Sequence, residues 1–121
     1  MPAIRALYGV GRQIAPALQI SEIRTVSEDA LWMSTASGRD SVALHFTWTD
    51  DDADVRAAMP VVEAALDRFA PRPHWGKMHA RTPAQVAAQY PRLGDFRELR
   101  RRHDPDGKFV NEYLRRYVLA S

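Results

Sequence analysis

Ser41-Val42-Ala43-Leu44-His45-Phe46-Thr47-Trp48-Thr49 is a nine-residue run in which apolar and polar side chains take turns. Successive side chains of an extended chain point to opposite sides, so Val42, Leu44, Phe46 and Trp48 share one face and Ala43, His45 and Thr47 the other. The run therefore predicts a strand over 41–49 with one face that needs a cover. The cover follows at once. Asp50, Asp51 and Asp52 offer caps and favourable charge for a helix N-terminus. Val55, Met59, Val62, Leu66 and Phe69 then recur every three or four residues along one stripe. This helix is expected to pack on the Val42/Phe46 face, with Pro60 bending it or removing one hydrogen bond.

Working outward towards the N-terminus, residues 18–26 (Leu-Gln-Ile-Ser-Glu-Ile-Arg-Thr-Val) read as a second strand. Alternation places Leu18, Ile20, Glu22 and Arg24 on one face and Gln19, Ser21, Ile23 and Thr25 on the other. Residues 3–17 before it read as a helix, with Ile4, Leu7, Tyr8, Gly11, Ile14 and Leu18 at helical spacing and Pro16 marking its end. Leu31-Trp32-Met33 is expected to be a short strand or edge, and residues 34–39 a turn. If the two strands are neighbours, Glu22 and Arg24 share a face with His45 and Thr47. A solvated sheet face carries the same four groups equally well, so pattern alone leaves both readings open.

Towards the C-terminus, Arg72-Pro73-His74-Trp75-Gly76-Lys77 ends the long helix and offers an imidazole, an indole N–H and an ammonium in six residues. Pro73 biases Arg72 away from the helical region and Gly76 eases a turn. Thr82-Pro83-Ala84-Gln85 is a capping box with Pro at the first helical position. Asp95-Phe96-Arg97-Glu98 repeats that logic, and Asp104-Pro105-Asp106-Gly107 is a turn signal. Residues 109–118 read as a turn of helix or an extended docking segment. The fold class is α+β: a small antiparallel sheet covered on one side by helices. The chain reads as a single partial domain, with 1–71 a helix-strand-strand-helix unit and 72–121 a loop followed by helical segments.

The 121 residues suffice for one modest core, and 45% hydrophobic with 26% charged residues is ordinary for a globular protein. The formal charge of +2 is a small excess. The arginines at 97–102 and 115–116 are interrupted by Glu98, Asp104 and Glu112, with no aromatic platform among them, which argues against nucleic acid. There are no cysteines, so disulfides and thiolate chemistry are excluded. No signal segment or apolar run of membrane length occurs, which points to no membrane and a cytoplasmic location. His45, His74, His79 and His103 lack metal-ligand spacing, and no GxSxG, P-loop or GxGxxG is present. What remains is Glu22/Arg24, His45/Thr47 and Lys77, which suit a hydroxylated ligand. A carboxylate accepts hydrogen bonds from hydroxyls, Arg and Lys donate to oxygens, and Thr does either.

Five blocks occur in the order of one family: 21–26 (Ser-Glu-Ile-Arg-Thr-Val), 42–48 (Val-Ala-Leu-His-Phe-Thr-Trp), 72–77, 90–96 (Tyr-Pro-Arg-Leu-Gly-Asp-Phe) and 104–111 (Asp-Pro-Asp-Gly-Lys-Phe-Val-Asn). Together they resemble the C-terminal part of the FAD-dependent alditol (xylitol/sorbitol) oxidases, which are related to the aldonolactone oxidases among the vanillyl-alcohol-oxidase-like flavoproteins. The resemblance implies that Glu22, Arg24, Thr47 and Lys77 bind a small polyol and that Arg24, Lys77 and His45 are the catalytic set. It implies that Arg24, His74 and Lys77 face FAD. It further implies an N-terminal FAD-binding domain, in the same chain or as a split partner, that these residues do not include. Met1-Pro2 opens directly into a helix, so under this resemblance we expect a fragment, a truncated product or one member of a split pair. This polypeptide alone is then expected neither to retain FAD nor to oxidise polyols. The alternatives are a non-enzymatic polyol-binding module and an inactive remnant. A surface uncovered by the absent domain, including Trp75 and residues 109–118, is expected to drive self-association.

Overall fold

The computed structural model describes residues 1–120. Two strands, β1 (Leu18–Val26) and β2 (Ser41–Trp48), pair antiparallel as a two-stranded sheet. Helices α1 (Pro2–Ile14) and α2 (Asp52–Leu66) cover one face of it. The α+β class and the one-sided cover expected from the sequence are both found. Asp51 caps α2, its carboxylate accepting hydrogen bonds from the Ala53 and Asp54 N–H groups. The helix runs through Pro60 without a break, so the proline costs it only the bond to the Arg56 carbonyl.

The first core is built where α1, α2 and the sheet meet. Ile14, Ala17, Val55, Ala58, Val62 and Leu66 are buried there, with Leu18, Leu44, Phe46 and Trp48 packed against them. The contact with the sheet thus runs along Leu44, Phe46 and Trp48 rather than Val42 and Phe46. On α2, Ala58 takes the centre of the stripe where Met59 was expected, and Met59 turns half-buried into a neighbouring cleft. Tyr8 was placed on the inner face of α1, yet it is 90% exposed, because Ala3, Leu7 and Ile14 already define that face. The helix stops at Ile14, short of 17, and Ala15-Pro16-Ala17 form the turn into β1.

Register is the main departure in the sheet. Ile20 pairs with Thr47, Glu22 with His45 and Arg24 with Ala43, whereas Leu18 pairs with Trp48. Two β1 residues are consumed against one of β2, a bulge at Gln19. The bulge shifts the alternation by one, so Leu18 joins the helix-facing side and leaves the face of Ile20, Glu22 and Arg24. Residues 31–33 form no strand. The connector between the strands is instead a compact turn with one bridge, Asp29 to Ser37, closed by Ser34 Oγ donating to Asp29 Oδ2 at 2.5 Å.

The remaining chain folds as short pieces around a second core of Val86, Tyr90, Leu93, Tyr117 and Val118. A 3-10 turn (Asp67–Phe69) extends α2 and ends at Ala70, whose φ of 50° is left-handed for a residue with a Cβ. Helix α3 (Pro83–Ala87) has the complete Thr82/Gln85 capping box. Helix α4 (Leu93–His103) begins three residues before the position that a second box would give. Asp95 lies in its first turn, paired with Arg92, so that expectation is corrected. A short helix α5 (Glu112–Leu114) and a π-helical turn (Arg115–Leu119) close the chain, the helical alternative for this segment. The apolar residues expected to form a self-associating surface at Trp75 and 109–118 differ in exposure. Trp75, Tyr113, Leu114 and Leu119 pack on the second core, Tyr117 and Val118 are buried in it, and Phe109 is 76% exposed. No helix among the described residues is long and apolar enough to cross a membrane.

Candidate functional site

The side chains singled out in the sequence meet on the sheet face turned away from α1 and α2. Because Glu22 and His45 are direct partners in the ladder, their side chains rise from the same face side by side. Glu22 Oε2 accepts from Arg24 Nη2 at 2.9 Å and from His45 Nδ1 at 2.9 Å. On the far side of the imidazole, Lys77 Nζ lies 3.3 Å from His45 Nε2. An ammonium only donates, so Nε2 must be the acceptor and the proton sits on Nδ1, aimed at Glu22. The His45–Glu22 contact is then a hydrogen bond donated by Nδ1. The result is one continuous row, Arg24–Glu22–His45–Lys77, drawn from two strands and a loop.

The hydrogen bond from His45 holds the Glu22 carboxyl below the usual carboxylate range, and the bond and charge of Arg24 add to this. Glu22 is thus a committed acceptor at neutral pH. Arg24 spends one nitrogen on Glu22, and its side chain stays 68% exposed. Thr47 stands on the same face opposite Ile20, exposed and with no side-chain hydrogen bond among the described residues. His74 is not in the row: its Nδ1 accepts from the Gly76 N–H at 3.0 Å, which folds the ring back on its own loop. That leaves Nε2 as the other polar atom of the His74 ring, and His74 lines the cleft described next.

A cleft of about 1000 Å³ runs between β2, α2 and the 71–79 loop, and His45 and Lys77 line it. The same cleft is lined by a pair that the sequence does not join, His79 and Tyr113, with Nε2 and the phenol oxygen 2.9 Å apart. Burial pushes the His79 imidazole towards the neutral form, and its enclosed Nδ1 meets no geometrically sound hydrogen-bond partner among the described residues. The two residues are 34 positions apart, so no local spacing announces them. Arg72 was also missed as a structural residue, because all its hydrogen bonds go to backbone carbonyls. A separate, mainly apolar cavity of about 410 Å³ lies between α4 and the C-terminal segment, away from the polar row.

The arginines at 97–102 are mostly engaged within the fold. Arg97 donates to the Val118 and Ala120 carbonyls, Arg100 pairs with Asp104, and Arg101 with Glu98. Among the described residues no group of three or more metal-ligating side chains comes together.

Known proteins are similar in sequence to this chain. The family described as D-arabinono-1,4-lactone oxidase matches residues 15–117. An alditol oxidase of Streptomyces sp. (strain IKD472 / FERM P-14339) is 48% identical over 115 residues, which cover 95% of this chain and 28% of that protein. An L-gulono-1,4-lactone dehydrogenase of Mycobacterium tuberculosis is 38% identical over 117 residues, or 94% and 26% of the two chains. A long-chain alcohol oxidase of an uncultured marine euryarchaeote is 31% identical over 114 residues, or 89% and 24%. The chain thus spans about a quarter of the length of the relatives it matches.

Proposed function

Given that this chain belongs to the D-arabinono-1,4-lactone oxidase family, we propose that it is the substrate-binding C-terminal portion of an FAD-dependent alditol oxidase. The observation that carries this reading is the row Arg24–Glu22–His45–Lys77, an unbroken alternation of donors and acceptors on one sheet face. A linear polyol presents hydroxyls that both donate and accept, and such a row answers them in turn. The 48% identity to an alditol oxidase, against 38% to a lactone dehydrogenase, favours a polyol over a lactone.

In this reading Glu22 accepts from a hydroxyl, and the spare guanidinium donors of Arg24 bind the neighbouring oxygen. Thr47 serves a hydroxyl further along the face. The reacting hydroxyl displaces Lys77 from His45 Nε2, so that the ammonium turns to the substrate oxygen and the imidazole faces its proton. Lys77 then stabilises negative charge developing on that oxygen while Nε2 takes the proton. The imidazolium so formed keeps its Nδ1–H on the Glu22 carboxylate, which stabilises the charge. FAD, when bound, supplies the acceptor for hydride from the hydroxyl-bearing carbon. The exposed cations Arg24 and Lys77, with His74 Nε2 nearby in sequence, suit the oxygen-bearing edge of a flavin.

No glycine-rich phosphate-cradling motif occurs in the sequence, and we place flavin retention outside these 121 residues. The purified polypeptide is expected to lack flavin absorbance, and stoichiometric absorbance would overturn that part. Titration calorimetry with xylitol or sorbitol tests the binding role. Heat is expected from the unaltered chain, and Arg24→Ala is expected to weaken binding at least ~10-fold, about 1.4 kcal/mol. No heat from the unaltered chain would sink the polyol reading.

A further inference from the structure

We propose that Arg72 is a positioning residue: it fastens the loop that carries Lys77 to the connector between β1 and β2, and so sets the distance between Lys77 and His45. Lys77 is exposed, and a lone lysine-to-imidazole contact at a surface is too weak to hold a flexible side chain or its loop. Something else must fix the backbone that aims it.

The guanidinium of Arg72 does this from a half-buried position. Its Nε donates to the Gln89 carbonyl at 2.9 Å. Its Nη1 faces three carbonyls of the connector, with Ser37 at 2.8 Å, Thr35 at 3.4 Å and Ser34 at 3.5 Å. The same group lies over the Tyr90 ring, 5.2 Å from its centroid. Two further bonds join the same segments: the Trp75 indole N–H donates to the Met33 carbonyl at 2.7 Å, and Arg39 Nη2 to the Ala70 carbonyl at 2.8 Å. From Trp75 the chain enters a tight turn closed by the Lys77 N–H on the His74 carbonyl, at 3.1 Å. Connector, β2, His45, Lys77 and loop thereby form a closed circuit, and Arg72 with Trp75 is the clasp. A lysine at 72 has a single point charge and no rigid fork, so it cannot serve Gln89 and Ser37 together.

The geometric claim stands apart from the polyol reading, and only its functional meaning rests on that reading. Proton NMR of the full 121-residue chain tests it through the nuclear Overhauser contact between the Lys77 ε-methylene and the His45 Hε1 proton. Arg72→Lys is expected to lose this contact while the β1–β2 cross-strand contacts persist. Trp75→Phe, which removes one donor but keeps a ring in the second core, is expected to weaken it. Full intensity in both variants would overturn the proposal. If Arg72→Lys does not fold, Trp75→Phe decides alone.

Calorimetry with xylitol supplies the second readout. Arg72→Lys on a Lys77→Met background is expected to weaken binding no further than Lys77→Met alone, and a clear additional loss would overturn the proposal. Loss of the Lys77–His45 contact in a chain that binds no xylitol sinks the polyol reading and supports the clasp. Xylitol binding with the contact intact in both variants does the reverse.

Discussion

The two halves of this molecule are held together by opposite means. Around α1, α2 and the sheet, Val55, Ala58, Val62 and Leu66 present an apolar stripe to Leu44, Phe46 and Trp48, and cohesion comes from area removed from water. Around residues 70–119 the secondary structure is short, and cohesion comes from an aromatic cluster tied down by polar clasps. Trp75 packs on Tyr90 at 4.9 Å, Tyr113 on Tyr117 at 4.7 Å, and Arg72 and Trp75 donate to connector carbonyls. The polar row spans both halves, with Glu22, Arg24 and His45 on the sheet and Lys77 on the clasped loop. A stripe tolerates small shifts because burial has no direction. A clasp does not, because hydrogen bonds weaken steeply with angle and distance.

The strongest way to break this contrast is Leu66→Ala, which removes a buried anchor of the first half. It is expected to lower the free energy of unfolding by about 2–5 kcal/mol in a urea titration. A loss below ~1 kcal/mol would show that the stripe is not what holds that half together. The second half makes the opposite prediction at Tyr90. Its ring is buried, its hydroxyl has no partner among the described residues, and burial pushes the phenol up to about 12. Tyr90→Phe keeps the ring and removes the unsatisfied group, so a gain of ~1 kcal/mol is expected. A loss of similar size would mean that the hydroxyl has a partner.

Thr82→Ala removes half of the capping box of α3 and is expected to cost about 1 kcal/mol, read from the same urea titrations. The cost should fall on the second half and leave the Lys77–His45 contact in place.

The smallest expected effect is a pH dependence in the first half. The folded state holds the Glu22 carboxyl low, so the unfolded chain binds its proton first as pH falls. The contribution of Glu22 is present above the ordinary glutamate range and is lost as pH drops through the depressed value. The difference in melting temperature between the unaltered chain and Glu22→Gln should therefore shrink between about pH 5 and pH 3. A difference independent of pH would argue that Glu22 is not held as an anion by His45 and Arg24.

The same contrast governs what the sequence discloses. The α2 stripe, the period-two strands and the Thr82/Gln85 box are local patterns of side-chain type, and the fold follows them closely. Glu22 and His45 could be brought together from sequence because antiparallel strands with shared polar faces leave few alternatives. The Gln19 bulge was not legible, since an extra residue in a ladder carries no obligatory residue type. Asp95 misled because an acidic residue suits both an N-cap and a first helical turn. The clasp at Arg72 was least legible of all, because its acceptors are carbonyls, which every residue possesses. The 34-residue separation of His79 and Tyr113 hid their pairing.

The bulge at Gln19 also makes β1 a strand written in two phases. Up to Leu18 the chain keeps step with the helix layer, and from Ile20 onward it keeps step with the polar row. Gln19 is the skipped beat that lets one segment serve both. Deleting Gln19 would make Leu18–Trp48 and Ile20–Thr47 consecutive pairs of a regular ladder, and both phases would survive. Ironing Gln19 flat into the ladder is what would force a choice, because Leu18 and Glu22 would then share a face. A straight strand of this sequence could keep Leu18 under α1 or Glu22 beside His45, and only the bulge keeps both.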